Sequence, residues 1–285
     1  ETWLSWRDLD VTGMIVFCRI CQAMRHTQVV IADVTTLNFN LLFEIGYALG
    51  LELPVVAIKD TTYAPDKKVF EDLGLLDTIG YMDFRNAAQL ARQLAATIPL
   101  DAIPTPPTEI NLQAPLYVLK GPHETEGEIR LFSVIKKSSV YFRTWDVVET
   151  PRRSLHDVRK QVNASLGVVT HLLSPRREGA LVHNARCALV AGMAMAQGKS
   201  ILMLQEEQVK HPIDYRDIIA SYTSPDHIQR LVEPSLLRII KQLQSRTLRS
   251  IKAPSGILQK LDLGDLAAEN EIRPLLTYFV TTGQY

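Results

Sequence analysis

The chain has 285 residues, with 31 Lys plus Arg set against 31 Asp plus Glu, and so no formal net charge. A balanced surface offers no long-range field to nucleic acid or anionic lipid, so neither is expected as the main partner. Three cysteines are too few for a disulfide framework, no apolar run approaches the roughly 18 residues of a bilayer span, and no secretory leader is visible, so a cytoplasmic protein with no membrane contact is expected.

In chain order, residues 13–27 (GMIVFCRICQAMRHT) place apolar side chains at helical spacing. Residues 28–35 (QVVIADVT) form a short β-branched run suited to a strand buried on both faces. Residues 40–52 (NLLFEIGYALGLE) are helical again, 54–60 (PVVAIKD) read as a second buried strand, and 86–98 (NAAQLARQLAATI) as a closing helix. Five prolines in 99–115 (PLDAIPTPPTEINLQAP) oppose both helix and ladder pairing and predict an extended linker.

The pattern then restarts. Strands are expected at 115–120, 140–148, 168–174 and 200–205, and helices at 127–139, 154–167, 181–199 and 233–244. Helices alternating with apolar strands indicate parallel sheets with crossover helices. The second run repeats the first: 29–35 (VVIADVT) matches 168–174 (VVTHLLS), and 44–58 matches 190–204. The fold expected is α/β, as two tandem Rossmann-like (flavodoxin- or TIR-like) domains with helix-flanked parallel sheets and a helical C-terminal extension. Their boundaries fall at 1–98, a linker at 99–115, a second domain at 116–245, and an extension over 246–285 that leads towards a further module. The first copy lacks the strand, helix and strand that open the second, so its first strand is expected upstream, and its sheet edge is expected to be covered.

Glu44 is an acid within an apolar helical stretch, and Asp33 ends the strand before it. In open parallel sheets, ligands bind beyond the carboxyl ends of strands, at the amino ends of the following helices. Asn38 or Asn40 can cap this helix, placing Glu44 near its first turn and its positive dipole end. Such a pair suits a sugar: one acid accepts ribose hydroxyl bonds, and the other faces the anomeric carbon as nucleophile or as partner to oxocarbenium-like charge. Gly46 allows a ligand or a neighbouring helix to approach closely. A solvated helix acid and a turn-capping aspartate are the competing, structural explanations.

The stretch VVIADVTTLNFNLLFEIGYALGLELPVVAIKD (29–60) resembles the nucleoside 2-deoxyribosyltransferase-like group, close in fold to TIR domains. The resemblance rests on an Asp ending a buried strand, an Asn-bearing loop, and Glu before an apolar residue and Gly-Tyr-Ala. It implies that Glu44 is the nucleophile at the anomeric carbon, that Asp33 holds sugar or base, and that Asn38, Asn40, Gly46 and Tyr47 form the substrate pocket. It covers the first third of the chain well and the second copy only as fold.

Aligning the copies puts Leu172 opposite Asp33 and Val190 opposite Glu44, while Gly192 matches Gly46. The second domain therefore reads as a degenerate copy serving binding, dimerisation or sensing. Its ligand or interface candidates are His171, Arg176, His183, Asn184 and Arg186, with a solvated loop and helix face as the competing explanation. Residues 197–200 (QGKS) do not make a phosphate loop, because Met193 stands where the glycine is required and the order runs helix to strand. Cys18 and Cys21 lack a second pair, His183 and Cys187 lack further ligands, and no metal is expected. Trp3 and Trp6 read as packing residues.

Three functions compete: N-glycosidic cleavage of a nucleoside, nucleotide or NAD-like molecule; non-catalytic nucleotide sensing or assembly controlling an effector; and a purely structural module. No cofactor is expected beyond nucleotide or NAD as substrate or ligand, and a homo-oligomer is expected. The end of the chain weakly resembles segments that precede P-loop ATPase modules in bacterial multidomain proteins. That implies a C-terminal ATPase and, by analogy, an anti-phage role.

Overall fold

Four helices start where the sequence supplies a side-chain oxygen to the orphan amides of a first turn: Asn38, Asn86, Thr125 and Ser154 are all extended residues whose side chains accept from a backbone N–H two or three positions on. The computed structural model describes residues 4–10, 12, 16–36, 38–63, 73–74, 80–98, 100, 108–207 and 216–250. Trp3 and residues 251–285, with the expected lead-in to a further module, lie outside the described residues.

The first half runs α1 (Val16–Arg25), β1 (Val30–Asp33), α2 (Phe39–Gly50), β2 (Val55–Asp60), β3 (Tyr81–Phe84) and α3 (Ala87–Thr97). The second runs β4 (Leu116–Lys120), α4 (Glu126–Lys137), β5 (Phe142–Asp146), α5 (Leu155–Asn163), β6 (Gly167–Leu172), α6 (Ala180–Ala196), β7 (Ser200–Glu206), β8 (Ile219–Tyr222) and α7 (His227–Ser250). The strands form two sheets, a three-stranded one in the order β1-β2-β3 and a five-stranded one in the order β5-β4-β6-β7-β8, and every pairing is parallel. The fold is α/β and Rossmann-like. The larger sheet has the flavodoxin-type order, with its topological switch between β4 and β6.

Three elements differ from the sequence reading. β3 (YMDF) and β8 (IASY) were not expected as strands; each has four residues, carries polar positions and closes a sheet edge, so neither shows the apolar run of a central strand. Helix α7 begins at His227 instead of Glu233 and carries Pro234 in its interior, the residue that suggested a later start. The edge of β1 away from β2 has no strand against it among the described residues.

Corresponding elements recur as α1/α5, β1/β6, α2/α6, β2/β7, β3/β8 and α3/α7. One core joins the halves, running from Ala32, Leu42, Phe43 and Leu49 to Val168, Leu172, Leu189, Val190 and Met193. A second core lies on the other face of the large sheet, under Leu131 and Ile135 of α4 and Val232 and Leu236 of α7. The joint between halves is α2 on α6, and glycine makes it possible. A Cβ on Gly46 would fall 2.0 Å from the Leu189 carbonyl oxygen, and one on Gly192 would fall 2.0 Å from that of Phe43. Gly46 corresponds to Gly192 and Phe43 to Leu189, so the contact is its own mirror under the repeat. Further along, Gly50 faces Met193 and Ala196, which shows the helices running in the same sense.

Alanine is the better helix former by roughly 1 kcal/mol, but here the obstructing atoms are backbone and cannot swing aside. We expect Gly46→Ala and Gly192→Ala each to destabilise the chain by about 2–3 kcal/mol, the scale of core overpacking, read by denaturant unfolding. The double variant should cost less than the sum, because a single separation of the helices accommodates both methyls.

Candidate functional sites at the strand ends

The first candidate is the rim where β1 ends and α2 begins. Asp33, exposed, closes β1 and accepts at Oδ1 from the Thr35 N–H (3.0 Å) and hydroxyl (2.5 Å). The Thr35 hydroxyl in turn accepts from the Asp60 N–H, which ties the ends of β1 and β2 together. Asn38 is the cap of α2, its Oδ1 accepting from the Asn40 N–H at 2.9 Å. Asn40 stands in the first turn, and its own Oδ1 is shut off from solvent without a hydrogen-bond partner.

Glu44 lies in the second turn, one turn deeper than its expected place near the helix start, and is partly buried. Its charge acts on Cys21 of α1, opposing the thiolate, although burial is the larger reason that this thiol is pushed up to about 12. Tyr47 is buried against Ile20, Cys21 and Met24, with its hydroxyl accepting from Arg25 Nε at 3.0 Å. Spacings of four and three residues put Asn40, Glu44 and Tyr47 on one face of α2. Phe43, Gly46 and Gly50 form the neighbouring face, about a quarter-turn round, that meets α6. Gly46 is therefore committed to helix packing. Cys18 is exposed and Cys21 buried, and both are free thiols. Among the described residues no group of His, Cys, Asp and Glu is placed to hold a metal ion.

The second-half candidates are mostly interior. His171, His183, Asn184 and Arg186 are all buried, which removes the solvated-face explanation for them; Arg176 alone is exposed. The His183 Nε2–H donates to the His171 carbonyl at 2.8 Å, and Cys187 Sγ lies 3.4 Å from the same nitrogen. Asn184 accepts from the Leu173 N–H and donates to its carbonyl, both at 2.8 Å, as a neighbouring strand would. Arg186 donates to the carbonyls of Leu73 and Pro151 and lies over the Trp145 ring. These side chains satisfy backbone groups that burial would otherwise strand.

What the sequence reading missed is Glu128. Thr125-Glu-Gly-Glu128 has the spacing of a capping box, and the Thr125 hydroxyl accepts from the Glu128 N–H at 3.0 Å. The Glu128 carboxyl turns the other way, however: Oε1 accepts from the Gly121 N–H, at the end of β4, at 2.8 Å. Glu128 is only 2% exposed, and its Oε2 has no partner. Burial raises its pKa to about 7, against the smaller opposing pulls of the Gly121 N–H and Lys120. Beside it, Gly127 leaves room for Tyr222, whose hydroxyl pairs with His171 Nε2 at 2.6 Å. His171 and His183 are both held down to about 4, chiefly by burial, and are neutral at pH 7. The glycine before a capping-box glutamate was the available signal, though only the β8 tyrosine explains it.

The fold and these rims define a two-sheet Rossmann-like α/β protein. No protein-family model matches the chain, and no curated protein matches it by sequence. Among the described residues, no helix is long and apolar enough to cross a membrane.

The perturbed groups set opposed pH dependences. Glu128 holds its proton in the folded chain up to about pH 7 but loses it near 4.5 when unfolded, so the stability it contributes is complete below 4.5 and lost as pH rises through 7. For the two histidines, stability is complete above 6.5 and lost as pH falls towards 4. Glu128→Gln should therefore leave stability unchanged near pH 4.5 and raise it at pH 8 by up to about 3 kcal/mol, measured by denaturant melts at both pH values.

Proposed function

We propose that the first half cleaves the N-glycosidic bond of a nucleoside, nucleotide or NAD-like molecule, with Glu44 and Asp33 as the working acids. The observation that carries this reading is the polar stripe Asn40, Glu44 and Tyr47 on α2, the helix that follows the exposed strand-end Asp33. The comparison between halves supports it. Leu172 ends β6 as Asp33 ends β1, yet it is buried; Val190, which corresponds to Glu44, is also wholly buried. Acids occur where the first half is open, and apolar residues where the second half is closed. The resemblance of residues 29–60 to nucleoside 2-deoxyribosyltransferase-like proteins assigns Glu44 the same part.

In this chemistry a Glu44 oxygen attacks C1′ of the sugar while the C–N bond breaks, its electron pair leaving with the base, which then takes a proton from solvent. Water hydrolyses the resulting glycosyl ester and restores the carboxylate. Asp33 Oδ2 accepts a hydrogen bond from a sugar hydroxyl. A binding-only role is the second reading, and it draws on the edge of β1: no described strand walls the site where β4 walls its counterpart.

Incubating the chain with a panel of nucleosides, nucleotides and NAD, with products read by mass spectrometry, should show free base. Glu44→Gln should reduce release by at least about 10³-fold with an unchanged melting temperature, as expected for loss of a covalent nucleophile. Turnover that survives this substitution removes Glu44 from the chemistry, and tight binding without turnover by the wild type establishes the binding-only reading. Asp33→Asn should raise KM more than it lowers kcat, because it removes a hydroxyl acceptor and leaves the nucleophile in place.

A further inference from the structure

The switch point of the larger sheet, where open α/β folds have their ligand crevice, lies between the β4–α4 loop, residues 121–125, and the β6–α6 loop, residues 173–179. Its loops meet over the top: Gly179, at φ +71°, brings its backbone so near Pro122 that a Cβ would fall 3.3 Å from Cγ. Each loop is pinned at its own root. Lys120 donates to Asp146 at 2.8 Å on one side, while Arg177 makes a two-bond pair with Glu206 on the other. Glu206 also accepts from the Ser174 N–H, and Glu207 accepts from the Ser174 hydroxyl.

Beneath these loops lies the Glu128 carboxyl, walled by Leu173 and Gly121. A carboxylate offers about four acceptor positions, and the Gly121 N–H uses one of them. Leaving the others unmet inside a protein is costly, and native chains retain such groups where something else satisfies them.

The surroundings decide the chemistry of that partner. Glu124 and Glu126 stand on the loop and first turn of α4, Asp146 at the end of β5, and Glu206 at the end of β7. Lys120 and Arg177, the cations at the strand end and loop, are both engaged by carboxylates, while Arg176 on the same loop is exposed. The facing aromatic groups, Tyr222 and His171, are already paired with each other, and Cys187 behind them is a buried thiol. At Glu128 itself a phosphate would meet another acid, whereas a hydroxyl donor would meet an open acceptor.

We propose that the β4–β6 crevice is a second ligand site, which opens at the Pro122–Gly179 contact to admit the vicinal diol of an uncharged nucleoside. The ribose hydroxyls donate to Glu128, and Leu173 and Pro122 cover the apolar face of the sugar. This site is separate from the proposed glycosidic site of the first half and needs neither Asp33 nor Glu44.

Isothermal titration of the 285-residue chain with adenosine, 2′-deoxyadenosine and adenosine 5′-monophosphate tests it. The titrations use the Glu44→Gln background, so that no turnover competes. Adenosine should bind, 2′-deoxyadenosine at least about tenfold more weakly through loss of one hydroxyl donor, and the monophosphate no more tightly than adenosine. Adding Glu128→Gln should weaken adenosine by about tenfold or more while leaving the fold intact by circular dichroism. Binding at pH 6 should also release on the order of one proton, read by comparing buffers of different ionisation heat, since a donor ligand favours the charged carboxyl. Adenosine affinity unchanged by Glu128→Gln, equal binding of the deoxynucleoside, or no adenosine binding at millimolar concentration overturns the site. The glycosidic reading fails separately, by base release that persists in Glu44→Gln.

Discussion

Two helix backbones in direct contact hold this protein together. Where α2 meets α6, Gly46 lies on the carbonyl of Leu189 and Gly192 on that of Phe43, so no side chain separates the helices. Contact this close resists sliding and rotation, because the positions of α2 that flank its glycines carry side chains too large to sit against the α6 backbone. Both candidate sites inherit their geometry from it. Once the glycine face of α2 is committed to α6, the stripe of Asn40, Glu44 and Tyr47 lies about a quarter-turn away, with Tyr47 packed against α1. On the other helix, the same constraint turns His183 and Asn184 onto the end of β6 and Arg186 towards Leu73 and Pro151.

The two copies differ in their described strands as well as in residues. The second has five strands with helices on both faces, and its α6 is enclosed for most of its length. At its counterparts of Asp33 and Glu44, enclosure leaves no water to solvate a charge, and Leu172 and Val190 are the residues that suit a dry interior. The first copy has three described strands and leaves its acids partly or wholly accessible. Acids thus stand at the accessible positions of the first copy, and apolar residues at the enclosed positions of the second.

Polar groups in the interior of the second half are placed in different ways. His183, Asn184 and Arg186 complete the hydrogen bonding of backbone that the fold has buried. Glu128 differs: one oxygen is satisfied, the other is not, and the charge is disfavoured at a pH where most carboxyls are ionised. Buried beneath the loops that follow β4 and β6, this acid with one unmet oxygen is the group on which the second candidate site rests.

Much of the architecture was legible because it rests on local pattern. Apolar runs such as VVIADVT and PVVAIKD can only be interior strands, and capping residues such as Asn38 and Ser154 mark helix starts. A repeat that preserves Gly46 as Gly192 marked a position that needs no side chain, without saying whether a helix or a ligand approaches it. The edge strands β3 and β8 escaped, since a four-residue strand with one wet side has no periodicity to detect, and Pro234 concealed the true start of α7. The sites were less legible. The sequence by itself determined the α/β class, the internal repeat and the acids of the first copy, because spacing and residue type are local properties of the chain. Tertiary structure alone decided that Gly46 serves a helix contact, that four of the five second-half candidates are interior, and that Glu128 lies under Gly121 beside Tyr222. Those outcomes depend on residues scores of positions apart arriving at one place, where burial changes what each group costs and therefore what it can do.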